Sequence, residues 1–247
     1  MNDTQSWFER GHVALITGAS HGFGRAIARR LAERGLRLVI TAREPEALML
    51  ARTQLREQTF VEALAGDVAH AQHLAALIAR TKHVFGRLDL LVNNASTLGR
   101  VPLPALDELE PDVLQKLFTT NVFAPLHLMQ RAFPLLAASG GSIVNVSSDA
   151  AINAYPGWGG YGASKAALEH VSRTFAAEHE GTGVSVLVAD PGSMDTNMHR
   201  DAEPGADFAA MATPDEIAGA LLAVISRPRE PYARVELPEL LRVLARA

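Results

Sequence analysis

Six short apolar runs punctuate the chain: HVALIT from His12, LRLVIT from Leu36, FVEALAGD from Phe60, LDLLVNNA from Leu88, GSIVNVSS from Gly141 and VSVLVADPG from Val184. None alternates cleanly between apolar and polar residues, the pattern of strands covered on both faces. Longer stretches with helical spacing lie between them. Arg25 to Arg34 carries Ile27, Ala28 and Leu31 on one face and is followed by Gly35, a helix-ending residue; Leu168, Val171 and Phe175 mark a similar stripe. This alternation predicts an α/β fold, a doubly wound parallel sheet with helices on both faces. The run IAGALLAVIS from Ile217 falls short of the roughly 20 residues that cross a bilayer and predicts a buried helix. With no repeat and no Pro/Gly-rich linker, one domain over residues 1–247 is expected.

The first run ends in Thr17-Gly18-Ala19-Ser20-His21-Gly22-Phe23-Gly24, which fits two templates. Gly18-x-Ser20-x-Gly22 matches the nucleophile elbow of a serine hydrolase, whereas the spacing of Gly18, Gly22 and Gly24 matches a turn that cradles a dinucleotide phosphate. A hydrolase elbow needs strands before it, and only about a dozen residues precede the strand that carries this one. The dinucleotide turn belongs on the first strand. There Gly18 permits the tight exit, Gly22 lets the backbone approach a pyrophosphate, Gly24 packs the helix on the sheet, and Ser20 is a turn residue.

Downstream, Tyr161 and Lys165 stand four apart at the start of a helical pattern and share a face. An ammonium beside a phenol favours the phenolate and pulls its pKa down from about 10. A Tyr-x-x-x-Lys pair taken alone is more often an ordinary surface pair. Composition narrows the field: 247 residues, a net charge of −4 and no cysteine exclude disulfide and thiolate chemistry and give no polyanion-binding field, so nucleic acid is not an expected partner. The polar start MNDTQSWFERGH lacks the apolar core of a signal peptide, so a cytoplasmic protein without membrane attachment is expected.

Taken in order, the glycine turn, Asn93-Asn94-Ala95, Ser148, Tyr161-Gly162-Ala163-Ser164-Lys165 and Pro191-Gly192 run from about Val13 to Thr196, and on these motifs the chain resembles the short-chain dehydrogenase/reductase family. The resemblance implies a single-domain Rossmann-type sheet and NAD(P)-dependent hydride transfer between a carbonyl and an alcohol. It further implies that Ser148, Tyr161, Lys165 and Asn121 act together. Ser148 lies thirteen residues before Tyr161, the family's spacing, and Ser147 is read as a strand-end residue. Tyr161 would be the acid/base, and Ser148 would donate to the carbonyl oxygen. Lys165 would depress the Tyr161 pKa and bond the nicotinamide ribose. Asn121 would hold a water that relays protons.

Around the cofactor the resemblance places Gly18, Ser20, His21, Gly22, Phe23 and Gly24 at the phosphates and Asn93, Asn94 and Ala95 at the adenosine ribose. Asp67 and Val68 flank the adenine, though an Asp there also reads as a helix cap. Pro191 and Gly192 pass under the nicotinamide, with Met194 beside them and Thr196 on the carboxamide. Ala42 occupies the family's acidic position and Arg43 follows, so NADP(H) is expected over NAD(H).

Ser193 to Pro214 is read as a mobile lid over the substrate, with Met194, Met198, Pro204 and Gly205 in it. Tyr155 and Trp158 are expected near Tyr161. No Lys or Arg falls between Ser148 and Tyr161, and Arg200 is the only one in the lid, which points to an uncharged, mainly apolar ketone or secondary alcohol. His70 and His73 read as a solvated helix face, and no metal is expected. Two departures from the family stand out: Ser96 where Gly is usual, and a tail, YARVELPELLRVLARA, without the usual Gly-Gly. Phe118, Leu126 and Leu168 are candidates for a helix-to-helix contact in a homodimer or homotetramer. A dinucleotide-sensing protein without catalysis, and less favourably a serine hydrolase using Ser20, are the alternatives.

Overall fold

Apolar residues at consecutive positions need cover on both sides, and the sheet supplies it. In a computed structural model that describes residues 10–226 and 230–244, seven strands run parallel in the order β3-β2-β1-β4-β5-β6-β7. They are β1 (Val13–Thr17), β2 (Arg37–Thr41), β3 (Val61–Ala63), β4 (Leu90–Asn93), β5 (Ser142–Val146), β6 (Ser185–Asp190) and β7 (Tyr232–Glu236). The helices are α1 (Gly22–Glu33), α2 (Pro45–Leu55), α3 (Ala71–Phe85), α4 (Pro111–Phe118), α5 (Ala124–Ser139), α6 (Gly159–Glu178), α7 (Asn197–Ala202), α8 (Pro214–Ile225) and α9 (Leu237–Leu244). The polar start at 1–9 and the segments 227–229 and 245–247 of the expected domain lie outside the described residues.

The core forms two layers. Along β1, Ala14 and Ile16 join a cluster with residues of α1, α2, α8 and α9, while Val13 and Leu15 join one with residues of α3, α5 and α6. The same alternation holds in β2, β4, β5 and β6, which is why these runs show no polar face. Each large aliphatic side chain buried this way contributes about 1.5–3 kcal/mol. The run from Ile217 becomes α8, started by Thr213 and Glu216 in a reciprocal capping box and burying Ile217, Leu221, Leu222 and Ile225. Among the described residues no helix is long and apolar enough to cross a membrane.

Strand β7 is absent from the apolar pattern. It pairs with β6 at the sheet edge, where its five residues are half-buried or exposed and include Arg234 and Glu236. Leu168 is fully enclosed in α6, so it contributes to the core and not to a contact between copies. Strand order reverses between β1 and β4, so the loops leaving their carboxyl ends part and open a crevice.

Candidate active site

Loops from the carboxyl ends of β1 to β6 and the segment after β6 enclose a cavity of about 870 Å³ at that crevice. Gly18, Ser20, His21, Gly22, Phe23, Arg43, Asp67, Val68, Asn94, Ala95, Ser148, Tyr161, Lys165, Pro191, Gly192, Met194 and Thr196 all line it. Gly24, Asn93 and Asn121 do not, and each has a structural reason.

Gly24 stands behind the turn. A Cβ on it would lie 2.3 Å from the Gly18 oxygen and 2.4 Å from the Asn94 Nδ2, so its place in the motif is close packing and not ligand contact. Gly18 itself has a φ of +67°, the left-handed region that other residues seldom adopt. The turn is braced from β4: Asn94 Nδ2 donates to the Thr17 oxygen at 2.9 Å, and Thr17 Oγ1 accepts from the backbone N–H groups of Asn94 and Ala95 at 3.0 Å each. Asn93 is buried between strands, where it donates to Asn145 Oδ1 at 2.7 Å, and is removed from the ribose set. Helix α1 begins at Gly22 with no acidic residue in its first turn, leaving its N–H groups and positive dipole end open to an anion. Residues and conformation thus fit a dinucleotide phosphate. Ser20 Oγ lies 3.0 Å from Nδ1 of the adjacent His21, inside this turn.

At the other end of the cavity, α6 presents Tyr161 and Lys165 side by side, with Lys165 Nζ 5.4 Å from the Tyr161 ring centroid. Lys165 is buried and donates to the Val146 oxygen at 2.8 Å. Burial pushes its pKa down to about 8, opposed by the carboxylates of Asp190 and Glu169. Burial also raises the Tyr161 phenol well above its ordinary value; hydrogen bonding to Ser96 and Ser148 works against this, and Asp190 and Asp149 add to it. The depression expected from Lys165 is not found, since Lys165 is not among the groups that lower this phenol, and burial keeps the proton on it at neutral pH. Ser148 is half-buried at the mouth of β5, where its Oγ donates to Asp149 Oδ1 at 3.1 Å. Ser147 is spent on Glu169, donating to Oε1 at 2.6 Å.

Asn121 sits in a single π turn, Thr119–Phe123, between α4 and α5. Its side chain is saturated: Oδ1 accepts from Ser96 Oγ and the Thr97 N–H, and Nδ2 donates to the Thr97 oxygen and Ser164 Oγ. An amide has two donors and two acceptor positions, so none remains for a water. Asn121 is a knot tying the loop after β4 to α6, whose Ser164 donates back to the Tyr161 oxygen at 2.7 Å. Ser96, the departure from the family's Gly, thus bridges Asn121 and the Tyr161 side of the cavity.

Beside Tyr161 the cavity is walled by Trp158, packed edge-on to it with ring centroids 5.5 Å apart, by Tyr155, and by the segment after β6, read from the sequence as a lid. Tyr155 OH donates to Asp149 Oδ2 at 2.8 Å. Within the lid Arg200 donates to both oxygens of Asp195 and lies over the Phe208 ring, and Met194 bridges Ala212 to join the two ends of the segment. Thr196 caps α7, accepting from the His199 N–H. At the adenosine end, Asp67 Oδ1 accepts from the Ala69 N–H, and Glu44, which sequence reasoning passed over, joins Arg43 on the wall.

His73 is not solvated surface. Its Nε2 lies 2.8 Å from Thr41 Oγ1, its ring fills the space a Cβ on Gly66 would need, and burial lowers its pKa. His70 is exposed. Among the described residues no group of three or more His, Asp or Glu is placed to hold a metal ion.

The sequence matches the short chain dehydrogenase family model over residues 12–207. It is 34% identical over 197 residues to the benzil reductase of Saccharomyces cerevisiae that forms (S)-benzoin, an alignment covering 77% of this chain and 74% of that one. Identity to sulfoacetaldehyde reductase 2 of Chromohalobacter salexigens is 36% over 186 residues, covering 74% and 73%. A short-chain dehydrogenase of Shigella flexneri, solved in complex with NADP, superposes with a TM-score of 0.87 at 28% identity, covering 95% of this chain and 99% of that one.

Proposed function

Because the chain belongs to the short-chain dehydrogenase/reductase family and is an oxidoreductase enzyme of it, we propose that it reduces uncharged, mainly apolar ketones with NADPH and oxidises the matching secondary alcohols in reverse. One observation carries this reading: Ser148, Tyr161 and Lys165 line one cavity together with Trp158, Tyr155, Met194 and Met198. The reduced nicotinamide cofactor supplies the hydride. Ser148 Oγ donates a hydrogen bond to the carbonyl oxygen, and Tyr161 OH delivers the proton that this oxygen takes up as the alkoxide forms. Lys165 supports the phenolate left behind. A phenol that keeps its proton at neutral pH suits the reductive direction.

Arg43 next to Ala42 favours the adenosine 2′-phosphate, a guanidinium with no acidic residue at the preceding position, and the Shigella flexneri structure holds NADP. Arg43→Ala is expected to lower kcat/KM for NADPH by about 10- to 100-fold, the worth of a charge-assisted hydrogen bond, with NADH little affected. Equal use of NADPH and NADH by the wild type in the same assay overturns the preference.

For the substrate, the lid's Arg200 is committed to Asp195, while Asp149, Asp195 and Glu203 all line the cavity. A sulfonated aldehyde, named for the Chromohalobacter relative, would face these carboxylates without a free guanidinium there. An aromatic ketone, as in the yeast relative, would meet Trp158. The test is NADPH oxidation against a carbonyl panel: neutral aryl and alkyl ketones are expected to turn over, and reduction of phosphorylated, carboxylated or sulfonated carbonyls alone refutes the pocket. Trp158→Ala is expected to raise the ketone KM about tenfold with a smaller change in kcat, since it removes aromatic contact made equally in ground and transition states. The reading also includes a homo-oligomer, supported by Phe118 paired with the exposed Phe123 and by exposed Leu114 on the outer side of α4 and its π turn.

A further inference from the structure

Beneath the reacting groups lies a cluster that no motif announces. Arg234, from the edge strand β7, reaches three carboxylates on three elements: Nε is 3.1 Å from both oxygens of Glu169 on α6, Nη2 is 3.3 Å from Asp190 Oδ2 at the end of β6, and Nη1 is 3.0 Å from Glu236 Oε1. The Glu169 and Asp190 side chains are 8% and 4% exposed, so their charges are held out of water. Both also have second partners. Ser147 Oγ donates to Glu169 Oε1, and the Gly192 N–H donates to Asp190 Oδ1 at 2.9 Å. All four oxygens of the two buried carboxylates are thereby occupied. Lys165, one helical turn from Glu169, directs its hydrogen bond to the Val146 backbone oxygen instead of to either acid.

We propose that Arg234 is a positioning residue for hydride transfer: it occupies Glu169 and Asp190 so that the Lys165 ammonium remains at Tyr161, and it ties the end of β5 and the Pro191-Gly192 turn into one rigid floor. The inference rests on the roles given to Tyr161 and Lys165 above. Without the guanidinium, two desolvated carboxylates would face one ammonium. A buried charge stripped of its partner is costly, and both carboxylates already act on the Lys165 ammonium. The ammonium would turn toward the acids and hold its proton to higher pH, and the Asp190 carboxylate would no longer fix the Gly192 N–H through a charge-assisted bond. The charged and titratable groups bearing on this cluster are Tyr161 and Glu169 on α6, Asp190 on β6, Arg234 and Glu236 on β7, and Asp149 after β5.

The experiment is the pH profile of NADPH-dependent ketone reduction by the wild type, Arg234→Met, Arg234→Lys and the double variant Arg234→Met/Glu169→Gln. Arg234→Met is expected to lose about tenfold or more in kcat and to shift the basic limb of its profile up by about one pH unit. Arg234→Lys is expected to recover the position of the limb, because it restores the charge without the three-way fork. The double variant removes one of the two acids that lost their partner and is expected to move the limb part of the way back toward wild type, which mere loss of packing would not do. If Arg234→Met does not fold, Arg234→Gln, polar but uncharged, takes its place alone and with Glu169→Gln in the same two comparisons. Wild-type kcat and limb in a folded Arg234→Met, or no recovery in the double variant, overturns the role of Arg234. Undiminished turnover by Tyr161→Phe would instead overturn the catalytic reading beneath it.

Discussion

Tyr161→Phe is expected to bind NADPH as the wild type does and to lose at least about 10²-fold in kcat, roughly 2.7 kcal/mol of transition-state stabilisation. The substitution keeps the ring that packs against Trp158 and removes only the hydroxyl proposed as proton donor, so fold and cavity shape are preserved. Single-turnover rates with a neutral ketone, beside fluorescence titration of NADPH, separate the two effects. A Phe variant that turns over at the wild-type rate takes the proton donor away from Tyr161.

Lys165→Met carries the second large effect and differs in kind. Lys165 is fully enclosed, and an unbranched thioether occupies nearly the same space without a charge. Loss of its charge-assisted hydrogen bond, worth about 1.5–3 kcal/mol, is expected to lower kcat roughly 10- to 100-fold. The Lys165 pKa of about 8 adds a second signature. The ammonium is present below that value and lost as pH rises through it, so reductive kcat/KM of the wild type is expected to fall above about pH 8. In Lys165→Met that limb should vanish. A limb that persists unchanged assigns it to another group.

Strands β1 to β6 are legible in the chain because a strand covered on both faces needs apolar side chains at neighbouring positions. Strand β7 is not. At the sheet edge Ala233 and Val235 pack inward while Arg234 and Glu236 alternate with them, and five residues of mixed character resemble any loop. The same divide runs through the site. Tyr161 and Lys165 share a helix face by spacing alone, the family's spacing adds Ser148, and all three line one cavity. Which atoms of a side chain are already spent is not local information. Asn121 looks free to hold a water until Ser96, Thr97 and Ser164 are seen to fill its amide. His73 looks solvated until Thr41 and Gly66 close over it, and Leu168 looks available for a partner until the core takes it in. Glu169 lies four residues beyond Lys165 in an unremarkable helix, and only the return of β7 gives it Arg234.

The brace on the glycine turn also has a bearing on how the protein is made. Thr17 and Asn94 are 77 residues apart in sequence, and Glu169 and Arg234 are 65 apart. A ribosome that has delivered the turn and its helix has yet to deliver Asn94, which holds the turn in shape, and the far wall of the cavity, out to Thr196, comes later still. Contacts closed over such spans come late, after the loop entropy between them has been met. A dinucleotide that binds the folded chain and not the unfolded one adds, at a hundred times its dissociation constant, about 2.7 kcal/mol to the folded state. Bound dinucleotide is then expected to protect this protein against unfolding, which a thermal melt with and without coenzyme would read as a rise in Tm.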